Sequence, residues 1–120
     1  MRIASVSFVV AALVAIAPLA AAAPGPYGGF VTQGQTRTHV YFNDLVCQGR
    51  SNVEYTVTLE TSATDVLRLT AGGRVAYSDL GATAVTFWKS PCARFEIHVY
   101  GFRVAEMAPY TVSVTSSPVA

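Results

Sequence analysis

The side chains best suited to chemistry in this sequence are its two histidines, His39 and His98. Each lies in a segment where apolar and polar residues alternate. A serine hydrolase needs such a histidine beside a serine on a strained turn, but the sequence holds no Gly-x-Ser-x-Gly motif. A metal site built on both histidines needs a third ligand such as Asp44, and no metal-binding spacing relates the three residues.

The acidic residues do not single out a catalytic pair either. Hydrolysis of a glycoside requires two carboxylates that flank the scissile bond. The seven acidic residues are scattered along the chain without a pair that the pattern brings together. We therefore expect no enzymatic activity, no cofactor and no metal.

The first 22 residues have the layout of a cleavable secretory signal peptide. Arg2 supplies a positive start, and an apolar run over 6–17 follows it. Small residues at Ala20 and Ala22 suit cleavage after Ala22. The apolar run of about 12 residues is shorter than the roughly 20 that span a bilayer, so we do not expect a membrane anchor. The sequence predicts a secreted, extracellular protein.

Removal of this leader changes the net charge. One of the eight basic residues, Arg2, lies in the leader, and the seven that remain equal the seven acidic residues. The net charge therefore falls from +1 to zero. Capture of nucleic acid or of an anionic membrane needs an excess of positive charge, so we expect neither as a partner.

The two cysteines, Cys47 and Cys92, both lie after the leader. In an oxidising compartment, an even pair of cysteines most often forms a disulfide. Closing a loop of about 45 residues would stabilise the fold by roughly 4 kcal/mol in the chain-entropy account. A catalytic thiol or a metal site would need partner residues that the sequence does not offer. We therefore predict one disulfide between them.

Most of the remaining chain alternates apolar and polar residues with a period of two. A proline- and glycine-rich lead-in covers 23–33, and turn-forming residues separate the strands that follow. The predicted strands are 36–42, 53–60, 65–70, 74–78, 83–88, 94–100 and 110–115. Short strands at this spacing, without a helical period, predict an all-β fold. We expect a small, jelly-roll-like antiparallel β-sandwich of seven to eight strands over 34–116, with a tail over 117–120.

The same alternation predicts which side chains face solvent. If Val40 and Phe42 point into the core, their neighbours along the strand point outward. The same alternation is expected in the strands that contain Trp88 and Ile97. The predicted outward set is Arg37, His39, Tyr41, Trp88, Arg94, Glu96, His98 and Tyr100. Tyr, Trp and Arg are the residues enriched at binding hot spots. The alternative is an ordinary solvated face on which aromatic residues pair across strands.

A second candidate surface is the connection over 101–108. It carries three apolar residues, Phe102, Val104 and Met107. Exposed apolar side chains in a loop often contact a partner. The alternative is that they tuck beneath the sandwich.

Four short motifs occur in order through the predicted domain. They are Val40-Tyr41-Phe42, Asp65-Val66-Leu67-Arg68-Leu69, Val99-Tyr100-Gly101 and Tyr110-Thr111-Val112-Ser113-Val114. In this order they resemble the bacterial pre-peptidase C-terminal domain, a jelly-roll-like β-sandwich appended to secreted proteases. The resemblance implies a non-catalytic module used in secretion, processing or surface binding, and it implies no catalytic residue.

Three functions are compatible with these observations. The leading hypothesis is a small, secreted, effector-like interaction protein that binds a host or cell-surface protein or glycan through a sheet face or loop. The second is a carbohydrate- or cell-wall-binding module of the pre-peptidase type. The third is an inhibitor or toxin that acts on a secreted enzyme through an exposed loop.

Overall fold

The computed structural model describes residues 22–43, 52–90, 92 and 94–118, and these form an all-β fold. The strands are β1 (Tyr27–Val31), β2 (Thr36–Tyr41), β3 (Val53–Thr61), β4 (Val66–Ala71), β5 (Arg74–Tyr77), β6 (Ala82–Lys89), β7 (Phe95–Arg103) and β8 (Ala108–Pro118). The first sheet has the order β1-β8-β3-β6, and the second has the order β2-β7-β4-β5. All neighbouring strands in both sheets are antiparallel. The predicted antiparallel β-sandwich is confirmed.

Strand β3 shows how the period of two produces this arrangement. Its fully buried residues are Val53, Tyr55, Val57 and Leu59. The one glutamate and two threonines between them keep partial exposure. Because β3 pairs with β6 on one side and β8 on the other, one of its faces covers the core and the other meets solvent.

Four aromatic rings, Tyr41, Tyr55, Phe87 and Phe95, form a cluster between the sheets. The ring of Tyr41 stacks on Phe95 with centroids 4.8 Å apart, and Phe87 meets Phe95 edge-on at 4.9 Å. Tyr41 and Phe95 belong to the second sheet, whereas Tyr55 and Phe87 belong to the first. Burial of one such ring stabilises a fold by roughly 1.5–3 kcal/mol, so this cluster is a major contact between the layers.

The lead-in predicted over 23–33 contains strand β1, which forms the edge of the first sheet beside β8. The alternation of apolar and polar residues could not predict β1, because Gly28 and Gly29 in this strand have no side chains. At Gly29 a Cβ atom would lie 3.1 Å from the Tyr110 hydroxyl, so the glycine leaves room for that tyrosine. Just before β1, the amide of Ala23 donates to the Val40 carbonyl at 3.1 Å. This segment therefore passes from the edge of the second sheet to the edge of the first.

Several predictions concern residues that the structure does not describe. The leader through residue 21, Asp44 and Cys47 lie outside the described ranges. Because Cys47 is outside these ranges, the disulfide with Cys92 stays a prediction, and so does export. Within the described ranges, no helix has the length and apolar character needed to cross a bilayer.

Candidate functional site

The structure divides the eight predicted binding residues among separate places instead of joining them in one patch. Glu96, His98 and Tyr100 lie on the outer face of the second sheet. Trp88 lies on β6, at the edge of the first sheet. Tyr41 lies in the core.

The outward orientation predicted for Tyr41 is wrong, since its side chain is only 2% exposed. The residues 40–42 are all apolar, so either orientation of β2 leaves an apolar side chain toward solvent. The tyrosine ring completes the aromatic cluster between the sheets, and Val40 and Phe42 keep partial exposure instead. Packing across the sandwich therefore determines the orientation of this strand.

His39 shares its side of β2 with Tyr41 and packs between two tyrosines. Its ring stacks on Tyr27 with centroids 4.9 Å apart, and its Nε2 lies 2.7 Å from the Tyr110 hydroxyl oxygen. Burial, and then the nearby Arg37 guanidinium, lowers the pKa of His39. Burial also raises the pKa of Tyr27 to about 12. We interpret this cluster as a set of structural contacts that hold β1, β2 and β8 together, not as a binding site.

Arg37 and Arg94 are exposed but lie apart from each other. The Nε of Arg37 donates to the carbonyl of Phe30 at 2.9 Å, which ties the ends of β1 and β2 together. The guanidinium carbon of Arg94 lies 5.4 Å from the centroid of the Phe42 ring. Each arginine therefore contacts its own local neighbour, and the two do not form a shared basic site.

The outer face of the second sheet carries the exposed rings of Tyr77 and Phe102 and the partly buried ring of Tyr100. We call it the aromatic face, and it consists of Arg68, Val75, Tyr77, Glu96, His98, Tyr100 and Phe102. The strand register places Tyr100 beside Arg68, and Arg68 beside Tyr77. The guanidinium carbon of Arg68 lies 4.4 Å from the centroid of the Tyr100 ring, at the distance of a cation–π contact.

Phe102 lies on this face at a β-bulge. Gly101 pairs with Leu67 and Arg103 pairs with Val66, so β7 has one extra residue at position 102. The Phe102 ring meets the Tyr77 ring edge-on at 4.9 Å. Both remain accessible, with Tyr77 45% exposed and Phe102 41% exposed. Phe102 thus belongs to a strand instead of the predicted loop.

The rest of the predicted 101–108 connection has a mixed outcome. Val104 is buried, as expected if the loop tucks under the sandwich, whereas Met107 is exposed. The amide of Val104 donates to the Gln33 side-chain oxygen at 2.7 Å, which fixes the start of the connection.

Polar contacts hold His98 in the middle of the aromatic face. Its Nε2 lies 3.0 Å from a Glu96 carboxylate oxygen, and its Nδ1 lies 3.3 Å from the Thr38 hydroxyl. A solvent-exposed contact of this kind contributes about 0–1 kcal/mol to stability. Its main consequence is to fix the position of the imidazole.

Trp88 lies in a different environment, at the open edge where β6 faces the β4–β5 hairpin. It is 63% exposed, and its indole N–H donates to a Glu54 carboxylate oxygen at 3.2 Å. It borders a cleft of 570 Å³. The residues that line the cleft are Glu54, Gly72, Arg74, Thr86, Phe87 and Trp88.

Sequence reasoning missed the contributions of Glu54, Gly72 and Arg74 to this cleft. The Gly72-Gly73 pair predicts a tight hairpin, and both residues have positive φ. A Cβ atom at Gly72 would lie 2.3 Å from the Phe87 ring, so the hairpin lies directly against β6. The pattern of glycines reveals the turn, but its packing partner depends on how the two sheets stack.

Comparisons with known proteins found no matching family model, no matching curated protein and no matching solved structure. Among the residues that the structure describes, no three His, Cys, Asp or Glu side chains are grouped to hold a metal ion.

Proposed function

We propose that the protein is a secreted, non-enzymatic interaction protein that binds a host or cell-surface protein through the aromatic face. The observation that supports this most strongly is the exposed pair of Tyr77 and Phe102 beside the Arg68–Tyr100 stack. Aromatic residues and arginine are the types most enriched in the energetic centres of protein interfaces. A disulfide between Cys47 and Cys92 belongs to this proposal, and the mass of the protein before and after reduction tests it.

The rigidity of the aromatic face favours a binding role. Its residues lie on β4, β5 and β7 instead of on loops, and Arg68 and Phe102 are held by neighbouring rings. Side chains that are ordered before binding lose less conformational freedom, which otherwise costs roughly 0.5–1.5 kcal/mol for each immobilised side chain. A partner would therefore meet a preformed apolar centre with threonines and a His–Glu pair around it.

The turn that presents Leu80 favours a second candidate, inhibition of a secreted enzyme. Leu80 is 83% exposed and has a φ of 53°, followed by Gly81 at 91°. A large apolar residue is unusual in this left-handed conformation, and backbone strain of this kind is concentrated at functional positions. A panel of secreted hydrolases assayed with wild-type and Leu80→Asn protein tests this candidate.

Photocrosslinking tests the leading proposal. The photoreactive residue benzoylphenylalanine is placed at position 77 on the aromatic face, or at position 113 on the outer face of the first sheet. Each protein is irradiated on intact cells and on a cell-surface fraction. We expect one discrete crosslinked protein from position 77, competed by unlabelled wild type and absent from position 113. Equal crosslinking from both positions would contradict the proposal.

A further inference from the structure

The geometry points to a second binding site, in which the Trp88 cleft holds a neutral hexopyranose ring of a glycan. The cleft lies between β6, at the edge of the first sheet, and the β4–β5 hairpin, whereas the aromatic face is the outer face of the second sheet. The inference therefore goes beyond the proposed function and does not depend on it.

The exposed indole of Trp88 provides the stacking surface. More than half of its surface is open to solvent, although Phe87 beside it is buried. The hydrogen bond to Glu54 fixes the orientation of the ring before any ligand arrives. A flat aromatic ring covers the C–H face of a pyranose through apolar contact. Prior ordering lowers the entropic cost of such a contact.

Polar groups around the indole match the hydroxyls of a sugar. The Glu54 carboxylate accepts hydrogen bonds, the Arg74 guanidinium donates them, and the Thr86 hydroxyl does both. The charges of Glu54 and Arg74 balance each other, so the lining favours a neutral sugar over a uronate or a free amino sugar. A small-molecule site usually combines an apolar surface with a few polar groups.

The size of the cleft agrees with one or two sugar residues. Its volume of 570 Å³ lies within the roughly 300–1,000 Å³ typical of small-molecule sites. The cleft is open at the sheet edge, so a longer glycan can continue into solvent. We therefore expect binding to the end or to an accessible unit of an oligosaccharide, with affinity in the range of about 10 μM to 1 mM.

Intrinsic fluorescence tests the site directly, because Trp88 is the sole tryptophan in the sequence. The purified protein is titrated with neutral hexasaccharides of glucose, mannose and N-acetylglucosamine. We expect a saturable change in emission and reduced quenching by iodide with at least one of them. Arg74→Ala and Glu54→Ala should each weaken binding about tenfold or more, equivalent to 1.4 kcal/mol.

Two matched controls separate this site from the aromatic face. Tyr77→Ala changes an exposed aromatic residue on the outer face of the second sheet, which does not line the cleft, and should leave the sugar titration unchanged. Calorimetry with Trp88→Ala replaces the lost fluorescence and should show no binding, while circular dichroism checks that each variant is folded. If none of the sugars gives a saturable response at about 10 mM, the inference is overturned, because the affinity would be too weak for a preformed site. Unchanged affinity in folded Arg74→Ala and Glu54→Ala proteins would also overturn it.

Discussion

Replacement of Gly101 by alanine should destabilise the fold by about 2–4 kcal/mol, because a backbone carbonyl occupies the space of the new methyl group. A Cβ at this position would lie 2.1 Å from the Thr32 carbonyl oxygen, and real Cβ contacts essentially never fall below 3.0 Å. The two segments would need to separate by about 1 Å, which strains the packed backbone. Separation also weakens two hydrogen bonds, from Gly34 N to Gly101 O at 2.8 Å and from Gly101 N to Gln35 O at 2.9 Å.

Thermal and urea unfolding, followed by circular dichroism, measure this effect. For a domain of this size, 2–4 kcal/mol corresponds to a fall in Tm of roughly 10–30 °C. Gly28→Ala is the matched control, because a Cβ there meets its nearest heavy atom at an ordinary 3.5 Å. A Gly101→Ala protein as stable as Gly28→Ala would refute the close approach between the β1–β2 turn and β7.

Three further predictions concern single side chains. Tyr55→Phe should raise the free energy of unfolding by about 1 kcal/mol in urea titrations, because the buried hydroxyl has no hydrogen-bond partner among the described residues. A loss of stability would show that the hydroxyl is bonded. Leu80→Asn should raise it by about 0.5–1 kcal/mol in the same assay, since asparagine tolerates the left-handed conformation better. No gain in stability would contradict the φ of Leu80. Stability should also fall as pH drops below about 6.5, because the pKa of His39 is lowered in the fold and the unfolded chain takes up the proton first. His39→Gln should flatten the pH dependence of Tm in this range, and an unchanged profile would contradict the partly buried position of His39.

The sequence predicts the parts of the fold where one side of a strand is clearly apolar. On β6, Phe87 is buried and Trp88 is exposed, as the alternation predicts. On β7, Ile97 is buried, whereas Glu96 and His98 on either side of it point outward, again as predicted. In these strands, a slip by one residue would expose the whole apolar side, so alternation fixes the orientation.

Prediction from the sequence fails where local pattern leaves the choice to tertiary contacts. Tyr41 has apolar neighbours on both sides, so its burial depends on the facing ring of Tyr55, which belongs to the other sheet. Phe102 continues the outward alternation of His98 and Tyr100, but Gly101 hides the continuation of the strand beyond the predicted end at Tyr100. The neighbours of Tyr100 depend on strand order, and short strands of similar composition can be ordered in several ways.

Equilibrium binding to intact cells tests the central claim about the aromatic face most directly. Fluorescently labelled wild-type protein is compared with the double variant Tyr77→Ala/Phe102→Ala and with the matched control Ser113→Ala/Thr115→Ala on the first sheet. All three proteins are first shown to have similar Tm values. Loss of two hot-spot residues should raise the Kd by about 30-fold or more, while the control stays at the wild-type value. Equal affinity of the double variant and the control would contradict the claim.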